Sequence, residues 1–251
     1  MYKEVLENLT HSSGIKFSMY KNSKRKYTVS SAMAGFYIGI GILIMGLSIA
    51  IFGRYGTGVD SLVNGFVFTL ALSLVMMAGG DLFTGNILVH SQGALNKEIT
   101  ALDAVSVCTY SWFWNFIGAL LLSLLFFATG IKDLPIGEAL AHLAVKKGSY
   151  APQVIFFKGI LCNVLVCLAV LCCYKLKSES AKLIMIFWCI LPFISLGFEH
   201  SVANMTVFSL GLMLSKEVTF SMAATNLIFA TLGNIAGGLL VSFSYFIIGK
   251  E

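Results

Sequence analysis

Two short polar motifs interrupt long apolar runs in this sequence. The first is Gly80-Asp81-Leu82-Phe83-Thr84-Gly85-Asn86. The second lies 118 positions later and is Phe198-Glu199-His200-Ser201-Val202-Ala203-Asn204. Each has an acid at its second position, a small residue at its sixth and Asn at its seventh. A carboxylate is costly in lipid and marks a functional position. Matching interruptions in two halves of an apolar chain point to a substrate path near the middle of a membrane.

The second motif contains His200, the one histidine inside a predicted apolar span. A neutral imidazole offers one hydrogen-bond donor and one acceptor, and its titration near physiological pH allows proton exchange with an anion. Thr84 stands three positions after Asp81, and its hydroxyl could bind the same anion. The alternatives are a packed, hydrogen-bonded histidine and a threonine that caps the backbone. The position of both residues in helix breaks favours the pore roles.

The other polar residues of the motifs have more than one interpretation. Asp81 and Glu199 could carry protons, but a structural role is favoured, in which they accept hydrogen bonds from backbone N–H groups at the following helix start. Asn86, Asn163 and Asn204 could line a pore or tie helix ends together. The sequence leaves both roles open for these three asparagines.

The composition places the motifs in a membrane protein. Hydrophobic residues make up 57% of the chain, charged residues 12%, and the mean hydropathy is +0.86. Six apolar stretches have the length of membrane-spanning helices, at about 31–52, 62–88, 105–128, 154–174, 183–214 and 222–248. We therefore expect one all-α membrane domain of six transmembrane helices. The second and fifth contain the motifs and should be broken there, because irregular backbone at membrane depth requires a protein-lined or wet wall.

A second pair of motifs indicates an internal repeat. Asn115 with Gly118 and Asn234 with Gly237 form two Asn-x-x-Gly motifs that are 119 positions apart. Two halves of three spans each, about residues 30–128 and 153–249, must run in opposite directions through the membrane. The sequence thus predicts an inverted repeat whose two breaks meet near the bilayer centre. Residues 130–153 are expected to form the longest outer loop.

The charges outside the spans predict the orientation. Residues 1–29 are expected to form a loose amphipathic arm, which lacks the apolar core of a signal peptide and carries six basic residues. We place this arm in the cytoplasm, before a channel domain at 30–250. The arm and the cytoplasmic loops then hold eleven Lys and Arg residues, and the loops on the outer side hold five. Both termini should then be cytoplasmic. Because the net charge of +5 follows topology, no nucleic-acid partner is expected.

The chain resembles the formate/nitrite transporter family over about residues 1–250. The residues that carry the resemblance are the two break motifs, Lys147, residues 159–163 and residues 197–205. Within the family, the chain looks most like the hydrosulfide channel branch of anaerobic bacteria. The resemblance implies a homopentamer of aquaporin-like protomers in a bacterial cytoplasmic membrane. Each protomer would hold one pore for small monovalent anions of weak acids, such as hydrosulfide, formate or nitrite, without a cofactor.

The resemblance also assigns roles to apolar residues that would otherwise be ordinary span residues. It implies a cytoplasmic-side constriction of Leu72, Leu82, Phe83 and Val166, an outer constriction of Phe68 and Phe193, and an anion-attracting role for Lys147 at the outer mouth. A bare anion is strongly disfavoured in so dry a passage. Transient protonation by His200 would let the anion cross as the neutral acid.

Two other classes of function compete with this interpretation. An intramembrane enzyme would need a metal cluster or a nucleophile–base pair, and the sequence shows neither His-x-x-His, Cys-x-x-Cys nor a Ser–Lys constellation. The six cysteines all fall in apolar spans and are expected to serve packing, so no metal site is expected. A neutral-solute channel of the aquaporin or urea type stays open, although the two Asn-Pro-Ala boxes of an aquaporin proper are absent.

Overall fold

The computed structural model describes residues 2–53 and 58–249, and every regular element in these two ranges is helical. The α-helices, in chain order, are α1 (Tyr2–Asn22), α2 (Lys24–Phe52), α3 (Val59–Leu74), α4 (Phe83–Leu95), α5 (Ala101–Ala128), α6 (Pro135–Gly148), α7 (Pro152–Lys175), α8 (Glu179–Ser195), α9 (Ser201–Leu214) and α10 (Phe220–Ile248). A π-helical turn, Val75–Gly79, extends α3, and a 3₁₀ turn, Ile131–Asp133, precedes α6.

Five of the described helical segments are long and apolar enough to cross a membrane: α2, α3 with its π turn, α5, α7 and α10. The predicted spans at 31–52, 105–128, 154–174 and 222–248 fall within α2, α5, α7 and α10. The predicted spans at 62–88 and 183–214 are each divided between two helices, α3 with α4 and α8 with α9. The chain is therefore an all-helical membrane protein with two interrupted helices.

Glycines occupy the special backbone conformations at both interruptions. The π turn ends at Gly79, whose φ is +89°, and the backbone is extended at Gly80 before α4 begins. At the second interruption, Gly197 has φ +67° between α8 and α9. A side chain would be strained in this left-handed region, and glycine adopts it freely. The breaks predicted at residues 79–81 and 197–200 are thus confirmed.

Two helix pairs pack backbone against backbone. α2 lies against α5, where a Cβ atom at Gly118 would overlap the carbonyl oxygen of Ala32. α7 lies against α10, where a Cβ atom at Gly237 would overlap the carbonyl oxygen of Ile160. Small residues at such crossings let helices in a membrane approach closely, so that dispersion contacts replace the missing hydrophobic driving force. These two crossings fix the positions of α5 and α10, which hold the interruptions from either side.

The prediction of a loose arm over residues 1–29 is wrong. Residues 2–22 form α1, and its apolar face, with Val5, Leu6 and Leu9, is buried against Leu88 and other apolar side chains of α4, α7 and α10. Positions four apart lie on one face of a helix, and this face supplies the packing energy that an isolated helix lacks. α2 then begins at Lys24, so the predicted boundary near residue 30 falls inside a helix.

The prediction of an outer loop over residues 130–153 is also wrong in part. Fourteen of these residues form α6, which buries Leu140 against Gly46 of α2 and Ala144 against Gly211 of α9. A helix of 14 residues is too short to span a bilayer, so its sequence does not have the length of a membrane span. α6 places Lys147 in its last turn.

Candidate functional site

His200 and Thr84 meet between the two interruptions. His200 is the N-cap residue of α9, and its Nδ1 accepts the backbone N–H of Ala203 at 3.1 Å. Its Nε2 lies 2.9 Å from Oγ1 of Thr84 in the first turn of α4, and both side chains are buried. Because a backbone N–H can only donate, Nδ1 carries no hydrogen, and the neutral ring donates from Nε2 to Thr84. The hydroxyl hydrogen of Thr84 remains available to a further acceptor.

Aromatic and aliphatic side chains enclose this polar pair. The ring of Phe193 stacks on the imidazole of His200 with centroids 6.0 Å apart, and Phe68 meets Phe193 edge-on at 5.8 Å. All six residues predicted to form constrictions belong to one buried apolar cluster; they are Phe68, Leu72, Leu82, Phe83, Val166 and Phe193. The structure therefore brings the predicted constriction residues and the polar pair into one region.

A cavity opens on each side of this region. The cavity on the α1 side, named the inner cavity, has about 260 Å³ and is lined by Leu72, Leu82, Asp81 and residues around them. The cavity on the α6 side, named the outer cavity, has about 370 Å³ and is lined by Glu199, Asn64 and residues around them. Asn64, Phe68 and Leu72 occupy successive turns of α3, and the outer and inner members of this series line opposite cavities. At 1.5 Å per residue, Asn64 and Leu72 are about 12 Å apart along α3, so the apolar region between the cavities, called the dry region below, is shorter than this.

The first motif is held by an ion pair with α1. Lys16 Nζ lies 2.8 Å from Oδ1 of Asp81 and donates to Oδ1 of Asn86 at 2.9 Å, and Ser30 Oγ donates to the other carboxylate oxygen at 2.7 Å. Burial has the largest single effect on the pKa of Lys16 and lowers it, but the nearby Asp81, Tyr174 and Cys108 together raise the pKa above its ordinary value. Lys16 entered the sequence analysis only as one charge of a basic arm, because 65 positions separate it from Asp81.

The second motif is held by a matching ion pair with α6. Lys147 Nζ lies 2.8 Å from Oε1 of Glu199, whose side chain is wholly buried while that of Lys147 is 13% exposed. Oε2 of Glu199 accepts the side-chain amides of Asn204 at 2.6 Å and Asn226 at 3.2 Å. Lys147 is therefore not a free loop charge, and Glu199 neutralises it at this distance.

Asparagine side chains, rather than the two motif carboxylates, accept the backbone N–H groups at the helix starts. Asn115 Oδ1 accepts the N–H of Phe83 at 2.8 Å, and Asn234 Oδ1 accepts the N–H of Ser201 at 2.8 Å. Each amide also donates to the main-chain carbonyl of its motif's acid, at 3.0 and 2.9 Å. The two carboxylates bind lysine and other side-chain donors instead of the backbone N–H groups predicted for them. The 119-residue spacing of Asn115 and Asn234 marks them as equivalent residues of the two halves, and this was the sequence signal for their shared role as helix caps.

The asparagines whose roles stayed open are bound to protein groups. Asn163 donates to the backbone carbonyls of Asn234 at 2.6 Å and Thr84 at 3.3 Å, which joins α7 to both α10 and α4. Asn86 and Asn204 are bound within the two ion-pair clusters, and Asn86 also lines the inner cavity. All three side chains are buried.

His90 is a second buried histidine, which the predicted spans do not include. His90 lies in α4, which continues to Leu95, beyond the predicted end of the span at residue 88. Its Nδ1 is 3.0 Å from Oγ of Ser13 in α1. His200 is therefore not alone among the buried histidines of the apolar region, and its place at a break distinguishes it.

Comparison with known proteins identifies the family. The family model described as Formate/nitrite transporter matches residues 3–247. Nitrite transporter NirC of Escherichia coli (strain K12) is 35% identical over 228 residues, which cover 89% of this chain and 84% of the relative.

Two solved structures share the fold. One described as an FNT family ion channel matches with a TM-score of 0.92 at 33% identity, covering 97% of this chain and 98% of its own. Another, described as a pentameric formate channel with formate bound, gives a TM-score of 0.81 at 27% identity, covering 92% and 99%. The family consists of transporters, which confirms that the chain is not an intramembrane enzyme. The chain belongs to the formate/nitrite transporter family.

Proposed function

We propose that this protein is a membrane channel for small monovalent anions of weak acids, with a path that joins the inner and outer cavities past Thr84 and His200. The observation that carries the proposal is the buried His200–Thr84 pair, which lies in the dry region between two cavities where two helices begin. Helix N-termini provide partial positive charge to an anion without a fixed cation.

The hydrogen bonds of the pair support a neutral donor role. The Nε2 hydrogen of His200 points to Thr84 Oγ1, so the threonine hydroxyl directs its own hydrogen to an anion or to the water that accompanies it. An anion in a dry passage is strongly disfavoured unless it is hydrogen-bonded or neutralised. Transient protonation of the anion by His200 would require Nδ1 to release the N–H of Ala203. Proton exchange by His200 stays a prediction, and the neutral donor is the simpler proposal.

We propose six membrane spans in two inverted halves, because the clusters around the two breaks share their main contacts. Lys16 pairs with Asp81 as Lys147 pairs with Glu199, and Asn115 and Asn234 each donate to the main-chain carbonyl of the acid in their own half. α1 lies against the last turns of α10, with the rings of Tyr2 and Tyr245 6.1 Å apart, so both helices reach the same face. The basic residues of α1 favour the cytoplasm of a bacterium for that face.

The relatives support the assembly and the substrate class. One solved neighbour is described as a pentameric formate channel, and a relative is named a nitrite transporter. We propose a homopentamer with one path in each protomer, and formate, nitrite or hydrosulfide as the anion. Hydrosulfide rests on sequence resemblance alone.

A flux panel tests the substrate class. Purified protein in liposomes should conduct formate, nitrite and hydrosulfide and should not pass glycerol or urea. Swelling in glycerol or urea without anion flux would favour the neutral-solute channel and overturn the proposal.

His200→Asn tests the role of the histidine. Asn is a good N-cap residue and its amide also donates, so it replaces both hydrogen bonds of the neutral ring. We expect the variant to keep more than about a tenth of the flux, because a neutral hydrogen bond is worth only about 0.5–1.5 kcal/mol, with a pH profile parallel to that of wild type between pH of about 5 and 8. His200→Leu, the control that lacks both groups, should lose the flux. Loss of the pH dependence in His200→Asn alone would establish proton exchange instead.

A further inference from the structure

Lys158 stands out among the charges of the outer cavity. It lies in the second turn of α7, one and a half turns inside a predicted apolar span, and its side chain reaches the outer cavity. Its Nζ lies 4.0 Å from the centre of the ring of Tyr150, in the turn between α6 and α7. Within residues 2–53 and 58–249, no ion pair involves Lys158 or Lys146, whereas the charge of Lys147 is bound to Glu199; of the two unpaired lysines, Lys146 is exposed and Lys158 is partly buried.

Lys158 lies on the face of α7 that follows the proposed path. Lys158, Cys162, Val166 and Val170 occupy successive turns; Lys158 lines the outer cavity and Val170 the inner one. Val166 between them is a constriction residue, 1% exposed. At 1.5 Å per residue, Lys158 stands about 12 Å outward from Val166 along the helix.

α3 brings a polar group to the same cavity. Asn64 precedes the constriction residue Phe68 by one turn and lines the outer cavity with Lys158. Its Oδ1 is buried and has no hydrogen-bond partner among the described residues. This oxygen is an acceptor and does not itself bind an anion, but the NH₂ group of the same amide can donate to one.

We propose that Lys158 and Asn64 form an outer anion-binding subsite, which holds the anion before it crosses the dry region and which Tyr150 organises. The inference rests on the proposed function and deepens it by assigning the recognition step. The face of an aromatic ring attracts an ammonium group without neutralising it, as a carboxylate would. Lys158 therefore stays positioned and keeps its full attraction for an anion. The ion pair of Lys147 with Glu199 positions α6 and contributes little attraction of its own.

The half-saturation concentration for formate uptake tests this subsite. Lys158→Gln in liposomes should raise it about tenfold in low salt, within the range by which charged clefts raise local ion concentration. The increase should shrink in 1 M salt, where the Debye length falls to about 3 Å. The maximal rate at saturating formate should stay within about twofold of wild type. Lys132→Gln removes the same charge from an exposed outer residue and serves as the matched control.

Conservative variants separate recognition from folding. Lys158→Arg and Tyr150→Phe should resemble wild type, because a cation and an aromatic face are retained. Tyr150→Leu and Asn64→Leu should raise the half-saturation concentration while the oligomer elutes unchanged in size-exclusion chromatography. Unchanged half-saturation in Lys158→Gln and Tyr150→Leu, with active wild type, would overturn the subsite and leave the channel function standing. A wild type that carries no anion would instead overturn the proposed function.

Discussion

The ion pair between Lys147 and Glu199 provides a quantitative test of what holds the second break. Lys147→Met would remove the cation and leave the Glu199 carboxylate buried with only its two amide donors, Asn204 and Asn226. Removing one partner of a buried ion pair costs about 3–5 kcal/mol. Because the two amides stay in place, we expect the lower end of this range, about 3 kcal/mol.

This cost predicts a large thermal shift. For a chain of 150–250 residues, each kcal/mol moves the midpoint by about 2–4 °C, so the apparent Tm in detergent should fall by about 6–12 °C. The measurement is the loss of the oligomer peak after heating, followed by fluorescence-detected size-exclusion chromatography. Lys146→Met is the matched control, since Lys146 is the exposed neighbour and forms no ion pair within the described ranges.

A double variant isolates the contribution of the unpaired Glu199 carboxylate to the loss of stability. Lys147→Met with Glu199→Gln removes both charges and keeps an acceptor for Asn204, so it should recover at least half of the lost stability. Equal midpoints for Lys147→Met and Lys146→Met would refute the reasoning. A double variant as unstable as the single one would show that packing of the lysine stem, rather than an unpaired carboxylate, sets the cost.

Two further predictions concern the inner side. Leu82→Val removes one methylene from a residue that lines the inner cavity and caps α4; formate and nitrite flux should rise while the oligomer survives, and unaltered flux for every anion would place Leu82 on a packing surface. Lys16 has a raised pKa, so its ion pair with Asp81 stabilises the docked α1 fully at any pH below the ordinary pKa of lysine. This stabilisation is lost only as the pH rises through the raised pKa. Protease sensitivity of α1 should therefore be constant through the neutral range and increase in strongly alkaline solution, and an increase near neutrality would contradict this.

The sequence predicted those features that local composition determines. A carboxylate and adjacent glycines in an apolar run can only be accommodated by a break, so both interruptions were located correctly. The position of His200 at the second break was likewise predicted from its neighbours in the chain. The two asparagines at 119-residue spacing were recognised as a repeat, but their task as helix caps depends on which backbone groups lie within 3 Å.

Features that depend on distant contacts were missed. α1 is weakly apolar and becomes stable only when Leu9 packs against α4 and α7, so it looked like a loose arm. The partner of Asp81 arrives with that helix. Lys147 was assigned to a loop because α6 is too short to resemble a span, and the neutralisation of its charge follows from the fold of the second half around Glu199.

The two halves differ at the centre of an otherwise matched frame. Leu82 and His200 occupy the same position, as the residues that precede α4 and α9, and Thr84 of the first half corresponds to Val202 of the second. A perfectly two-fold path would look the same from either side. Along the proposed path, an ion from the inner cavity meets Leu82, which lines that cavity, whereas His200 lines neither cavity and has Phe193 stacked on its ring. Along the proposed path, equal gradients in opposite directions should therefore drive unequal anion fluxes once the path is saturated.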